Sequence, residues 1–399
     1  MQPEVTQAGK QPDKMDRIYL DYNATTPLDP RVFDVMKPYF LEHFGNPASG
    51  QHAWGWTAEA AVTKARDQVA ALLGAQVHEV YFTSGATEGN NWALFGLFHQ
   101  IRAENPGAPI HVLTSAVEHS SVMNAARALR ELGAEVDFLP VNSLGQVEPD
   151  TVARALKPHT RLLSFIWVNN EIGSVNPIHE IGRLAKNNQI YFHTDATQAV
   201  GKVAVDVDAA GVDMLTLSGH KIYGPKGVGA FYLRERRPHV TIKPLFFGGG
   251  HEKGLRSGTV NVPGVAGLGA ACEILRHEMR EENERVTGLR ERLWSRLQAA
   301  LPALRLNGPE HERSPINLSL TLPGRPVDRA LPKLQKLGFS TGSACSAGRV
   351  SVSHVLSGLG LSEADAACTL RLSLGRWTTA EEVDRAAEIL ISAFGSDRI

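Results

Sequence analysis

The sequence predicts an α/β protein: a large domain with a mainly parallel, doubly wound sheet flanked by helices, joined to a smaller α+β domain. Three observations point there. Short β-branched and aromatic runs recur at 80–83, 112–114, 162–167, 190–194, 214–217 and 228–233, each of a length suited to a buried strand. Helical stretches lie between them; in 177–187, Pro177 suits the first helical position and Ile178, Ile181 and Leu184 share one face. After Pro263 a charged segment keeps Val286, Leu289, Leu293 and Leu297 on one apolar side, which reads as a helix bridging two domains and closed by Pro302. Strand and helix alternation favours a parallel sheet, and ligands of such sheets gather at the carboxyl ends of the strands. The remainder offers strands at 316–320 and 370–374 and a last helix at 379–394. We therefore expect a large domain over 30–263, a small domain built from 1–29 and 264–399, and a loose polar tail over about 1–15.

Composition narrows the function. The 399 residues are 43% hydrophobic and 21% charged, an ordinary globular balance. Lysine plus arginine (41) nearly cancels aspartate plus glutamate (42), so no net field is available to hold a nucleic-acid backbone or an anionic membrane. Three cysteines, Cys272, Cys345 and Cys368, form no Cys-x-x-Cys pair, and neither a disulfide framework nor a metal site is suggested. A reducing, cytoplasmic compartment fits that usage. The start of the chain carries Pro3, Gly9 and Pro12 without the apolar core of a secretory signal. Apolar runs elsewhere break well before the roughly 18 residues of a membrane span, so we expect a soluble protein.

Three loops carry chemistry. Ser84-Gly85-Ala86-Thr87-Glu88-Gly89 follows a strand and opens a helical stretch, the layout of a phosphate cradle, where first-turn N–H groups and the Thr87 hydroxyl face an anion. A plain strand-to-helix turn has the same look. Tyr191-Phe192-His193-Thr194-Asp195 delivers a carboxylate to a strand end, either to pair with the protonated ring nitrogen of a pyridine cofactor or to cap a helix. Ser218-Gly219-His220-Lys221-Ile222-Tyr223-Gly224-Pro225-Lys226-Gly227 sits between two strands. Its glycine spacing is followed by Pro225-Lys226 rather than Lys-Ser or Lys-Thr, which argues against a nucleotide loop. A partly desolvated lysine beside another cation instead becomes nucleophilic and suits a Schiff base.

These segments, with Val168-Asn169-Asn170-Glu171-Ile172-Gly173, Asp195-Ala196-Thr197-Gln198, Arg256-Ser257-Gly258-Thr259 and Thr341-Gly342-Ser343-Ala344-Cys345, resemble in order the motifs of the cysteine desulfurases, the NifS/IscS branch of the pyridoxal-phosphate (PLP) fold-type I enzymes in the class V aminotransferase family. The resemblance runs from the Tyr19-Leu20-Asp21-Tyr22-Asn23-Ala24-Thr25-Thr26 segment to Arg376. It implies that Lys221 holds the cofactor, Asp195 meets its ring nitrogen, His119 stacks on the ring and Gln198 meets the ring oxygen. It gives the phosphate to Thr87, Ser218 and His220, with Thr259 donated by the partner of a homodimer, adds Ala86 and Asn170 to the cofactor-binding set, and gives the substrate carboxylate to Asn170 and Arg371. Read singly, His119 is also a satisfied loop histidine, Arg371 a surface ion pair and Cys345 an inert buried thiol; in order along one chain they favour the site.

The implied reaction converts L-cysteine to L-alanine. The freed Lys221 removes the Cα proton, and Cys345 takes the sulfur as a persulfide for delivery to an acceptor protein, an iron–sulfur scaffold or a tRNA-thiolation protein. Cys345 lies in a small-residue stretch suited to a mobile loop that carries sulfur outward. Two departures stand out. Residues 348–354 differ from the family's usual acidic-proline sequence, and the chain stops soon after Phe394, without the extension that helps housekeeping members dock the iron–sulfur scaffold. The competing readings are a selenocysteine lyase or another PLP-dependent lyase or aminotransferase, and a non-catalytic sulfur-relay scaffold.

Overall fold

The computed structural model describes residues 17–237, 239–346 and 349–395, with the side chains of 343–351 outside that description. The expected tail over about 1–15 lies outside the described residues. The large sheet has seven strands: β1 (Val80–Thr83), β2 (His111–Ser115), β3 (Glu135–Leu139), β4 (Thr160–Ile166), β5 (Tyr191–Asp195), β6 (Met214–Ser218) and β7 (Gly229–Leu233), in the order β1-β7-β6-β5-β4-β2-β3. The run from β3 to β6 is parallel, and β7 is antiparallel to both β6 and β1. Two antiparallel steps restore direction, so β1 ends on the same edge as the parallel strands.

Six of these strands coincide with the apolar runs. The seventh, β3, has no such run. It is an edge strand whose Glu135 is exposed and whose Glu135 and Asp137 both pair with Lys157, so it needs burial on one face only and reads as a charged stretch.

Alternate strand residues serve opposite faces. Leu113, Leu163, Phe192, Leu215 and Tyr232 belong to the core under helices Ala53–Leu73 and Ile178–Asn187, while Val112, Leu162, Met214 and Phe231 pack with helices Leu97–Glu104 and Ser120–Glu131. Pro177 occupies the N-cap of Ile178–Asn187 rather than its first turn.

The expected long helix is Val262–Ala300, 39 residues or about 58 Å at 1.5 Å per residue. Asn261 caps it by accepting from the Gly264 N–H. Its first half, with Val265, Leu268 and Leu275, is buried in the core on one face of the seven-stranded sheet, and its second half, with Val286, Leu293 and Leu297, in a separate core. One rigid element thus fixes the relation of the two cores.

That second core lies under an antiparallel sheet of β8 (Arg305–Asn307), β9 (Asn317–Thr321), β10 (Ser340–Thr341) and β11 (Thr369–Ser373), in the order β10-β11-β9-β8, packed against helix Ala380–Gly395. The backbone of Ser343–Ser346 pairs with Arg349–Val352 as an antiparallel ribbon, where the small residues had suggested a loop. Valines alternating with serines at 350–353 suit a strand. Ile18–Tyr19 pairs in parallel with Leu337–Gly338, and Asp21 bridges Ser373. From there the N-terminal segment crosses to the large domain, where the Thr26 N–H donates to the His220 carbonyl and the Asp29 N–H to the Tyr223 carbonyl. Among the described residues no helix is long and apolar enough to cross a membrane.

Gly229 is where the sheet meets the loop after β1: a Cβ there would sit 2.5 Å from the Leu217 carbonyl oxygen and 2.8 Å from the Gly85 Cα. Both neighbours are backbone and cannot yield. Gly229→Ala is expected to lower stability by about 1–3 kcal/mol, measured by urea unfolding.

Candidate active site

The carboxyl ends of β1, β2, β4, β5 and β6 meet at a cavity of about 610 Å³, well sized for a small ligand. Ala86, Thr87, His119, Asn170, Asp195, Gln198, Ser218, His220, Lys221 and Arg371 all line it. Thr259 does not; it is exposed in the stretch before Val262–Ala300. The Cys345 side chain lies outside the described residues.

The cradle forms where β1 turns into helix Ala86–Asn91. Gly85 adopts φ 147°, ψ −177°, a backbone open to glycine, and faces the Ser218 hydroxyl. Glu88, which also lines the cavity, has its carboxylate engaged: it accepts from the Ser84 N–H at 2.7 Å and from Arg256 at 2.8 and 3.2 Å. Burial alone would raise its pKa, but Arg256 and Ser84 outweigh that and hold it below the usual range. The carboxylate therefore does not spoil the mouth for an anion.

At the end of β5, Asp195 is buried and split between two tasks. One oxygen accepts from the Thr197 N–H at 3.0 Å, the other from Asn90 Nδ2 at 2.7 Å. Asp195 thus closes a turn rather than capping a helix, and its fixed carboxylate lines the cavity. Asn90 Nδ2 also donates to Ser121 Oγ at 2.9 Å, and Ser121 Oγ lies 2.8 Å from His119 Nδ1. His119 Nδ1 further accepts from the Ser121 N–H at 3.2 Å, which places the proton of the neutral ring on Nε2. Burial, outweighing Asp195, lowers the His119 pKa and keeps that ring neutral. A hydrogen-bonded chain therefore links Asp195 to His119.

Lys221 lies on the turn after β6. Its Nζ donates to the carbonyls of Asn23 and Ala24, both at 2.6 Å. Burial, then Arg371, push its pKa down to about 8, while Asp21 and Asp195 pull the other way. The shape of the turn is held from both sides. Tyr223 takes φ 63°, its N–H donates to Thr26 Oγ1 at 2.9 Å, and its ring carries the Arg376 guanidinium 4.2 Å from its centroid. Lys202 Nζ donates to the Lys221 carbonyl at 3.1 Å and is itself pushed to about 7 by burial and by Lys221. His220, hydrogen-bonded through Nδ1 to Thr25 Oγ1 at 3.1 Å, falls to about 4 by burial and by the lysines around it.

Gln198 and Asn23 pair through their amides: Asn23 Nδ2 donates to Gln198 Oε1 and Gln198 Nε2 to the Asn23 carbonyl, each at 2.9 Å. This fixes which end of Gln198 carries hydrogens and leaves its second N–H for the cavity. Asn23 is anchored in turn by Asn317 of β9 at 3.1 Å and by Ser373 of β11 at 2.8 Å.

A family model described as aminotransferase class-V matches residues 18–386. The chain is 45% identical over 371–372 residues to relatives such as the cysteine desulfurase IscS of Anaeromyxobacter dehalogenans, a match covering 93% of this chain and 91% of that protein. A solved NifS-like protein superposes with TM-score 0.87 at 33% identity, covering 95% of this chain and 99% of the other. The chain belongs to the cysteine desulfurases of the class-V aminotransferase family. A structure of SspA in complex with cysteine is also similar, with TM-score 0.79 and 36% identity over 90% of this chain and 99% of that one.

Desulfurases of this class work with PLP, and the cavity fits that group. Three residues that line the cavity, Asn170, Thr197 and Arg371, each carry a buried polar atom without a hydrogen-bond partner (Oδ1, Oγ1 and Nε), which suits a wall that meets a polar ligand. The cradle, a neutral stackable ring, a buried carboxylate and a low-pKa amine surround one space of suitable size.

Sequence reading missed three residues of this desulfurase site. Asp21 and Asn23 stand in a motif quoted for its resemblance, with no role attached. Asn90 follows the cradle, and its only signal is an amide opening an otherwise apolar helical run.

A pKa of about 8, against the ordinary 10.5, makes Lys221 half neutral near pH 8 and so far more nucleophilic than a surface lysine. The rate at which apoprotein takes up PLP, followed by visible absorbance, is expected to rise with pH through a midpoint near 8. A midpoint near 10.5 would contradict the desolvated environment.

Proposed function

We propose that this protein is a PLP-dependent cysteine desulfurase that converts L-cysteine to L-alanine and takes the sulfur onto Cys345. The observation that carries the reading is the convergence, in one cavity, of a low-pKa lysine, a buried aspartate and an arginine, on a chain 45% identical to cysteine desulfurases.

Lys221 would hold the cofactor, and the hydrogen-bonded Asp195 would keep the ring nitrogen protonated. His119 would cover the ring, and Gln198 would donate to the ring oxygen. Ala86, Thr87, Ser218 and His220 would hold the phosphate. Asn170 and Arg371 would take the substrate carboxylate, a guanidinium being matched to its two oxygens. When bound, the cofactor supplies an electron sink for the bonds at the substrate Cα. The chain's own part is to move the Cα proton, for which Lys221 is suited because burial brings its pKa down to about 8, near the working pH. The Cys345 thiolate then attacks the substrate sulfur: the carbon–sulfur bond breaks, a sulfur–sulfur bond forms, and alanine leaves after gaining a proton. No outside oxidant or reductant is needed.

A homodimer is part of the proposal. Phe40, Phe44, Trp54, Trp56 and Phe247 are all more than half exposed, on elements beside the first half of helix Val262–Ala300 and the stretch leading to Thr259. Apolar exposure of that extent calls for a partner, and Thr259 would reach the phosphate in the partner subunit. We place the protein in the cytoplasm because Cys272 and Cys368 are unpaired, and we assign the sulfur to a protein acceptor, an iron–sulfur scaffold or a tRNA-thiolation protein.

Incubated with L-cysteine and a reductant, the holoenzyme is expected to release sulfide and alanine in equal amounts, which transamination would not do. Lys221→Ala should slow both by about 10²–10⁴-fold, the usual worth of a positioned acid–base group. Cys345→Ala should eliminate protein-bound persulfide together with sulfide release; full sulfide release from Cys345→Ala would exclude the persulfide route and favour a lyase.

A further inference from the structure

The guanidinium assigned above to the substrate carboxylate is already engaged. Arg371 Nη2 donates to Asp21 Oδ1 at 2.8 Å and to Ser340 Oγ at 2.8 Å, and Nη1 donates to the Asn170 carbonyl at 3.0 Å. Ser340 Oγ lies 2.9 and 3.1 Å from the two Asp21 oxygens, so the three side chains close a ring. The pair is largely sheltered, with side-chain exposures of 13% for Arg371 and 17% for Asp21.

Guanidinium geometry makes this arrangement consequential. A carboxylate can dock bidentately on the Nη1–Nη2 edge or the Nε–Nη2 edge, and Nη2 belongs to both. Both Nη2 protons are committed, so neither edge can receive a second carboxylate. The unpartnered Nε, buried beside the cavity, completes an edge only once Nη2 is released.

We propose that Asp21 occupies the substrate-carboxylate position on Arg371 in the resting protein and is exchanged for the incoming carboxylate, and thereby sets substrate affinity. The inference rests on the reading that Arg371 binds substrate. An exchange is favoured over a vacant fork because a sheltered guanidinium stripped of its carboxylate would bear a full desolvation cost, whereas trading one carboxylate for another keeps the charge paired throughout. Ser340 remains as a donor to the departing Asp21. A second cavity of about 400 Å³, lined by both Ser340 and Arg371, gives these side chains room to move.

The test uses holoenzyme titrated with L-alanine, the product, which carries the same amine and carboxylate with no sulfur to lose; binding is read from the cofactor's visible absorption. Asp21→Asn keeps the shape and replaces an ion pair by a weaker hydrogen bond from the guanidinium to a neutral amide. Alanine should bind about 5- to 10-fold tighter. Ser340→Ala, which frees one Nη2 proton, should tighten it about 2- to 3-fold. L-alanine methyl ester, which lacks the carboxylate, should bind Asp21→Asn and the natural protein alike. Unchanged or weaker alanine binding by Asp21→Asn would overturn the exchange, as would equal tightening of the ester, which would locate the effect at Lys221. Arg371→Gln separates the two levels. If it leaves alanine affinity intact, the assignment of Arg371 fails and the exchange with it; if it weakens alanine while Asp21→Asn does not tighten it, the exchange alone fails.

Discussion

Everything in this site depends on an amine kept out of water. Lys221 Nζ rests on two backbone carbonyls from the N-terminal segment, Asn23 and Ala24. Carbonyl dipoles satisfy its donors without supplying the full negative charge that would raise its pKa, so burial prevails and the amine is half neutral near pH 8. A carboxylate in their place would have locked the lysine as a cation. The segment that provides those carbonyls must therefore be held exactly where it is, and much of the surrounding hydrogen bonding serves that end: Thr26 to the His220 carbonyl and the Tyr223 N–H, Asn23 to Gln198, Asn317 and Ser373. Because Asn317 and Ser373 lie on the four-stranded sheet and Gln198 follows β5 of the seven-stranded one, the amine's environment is set jointly by both sheets.

The sheet supplies the rest by direction alone. Two antiparallel steps at β7 bring the cradle after β1 to the same edge as Asp195 and Lys221, residues more than a hundred positions apart in sequence from Thr87. Buried charge at that edge is then rationed. Glu88 is drawn off by Arg256, Asp195 is shared between Asn90 and the Thr197 N–H, and burial keeps His119 and His220 neutral. The cavity thus offers distinct environments for an anion, a ring and an amine within one wall.

The strands, the bridging helix and the chemistry-bearing loops were legible because each leaves a local mark: an apolar run, a 3.6-residue stripe, a glycine-rich turn beside a lysine. What stayed hidden is relational. Strand β3 is charged because it lies at an edge, a property of its neighbours rather than of its residues. Asp195 turns out to be held through both oxygens, by the Thr197 N–H and by Asn90, and no local spacing announces the second partner. Asn23, Asn90 and Asp21 act through partners such as those 175, 105 and 350 positions away, and no spacing within a motif encodes such a pairing.

The central claim is that Lys221, and no other lysine, is the amine that meets the cofactor. Borohydride reduction of PLP-loaded protein followed by peptide mapping tests it most directly. The account predicts the reduced cofactor on the peptide containing Lys221. Label on Lys202, an amine comparably depressed by burial and only 3.1 Å from the Lys221 carbonyl, or on the cavity-lining Lys226, would contradict it.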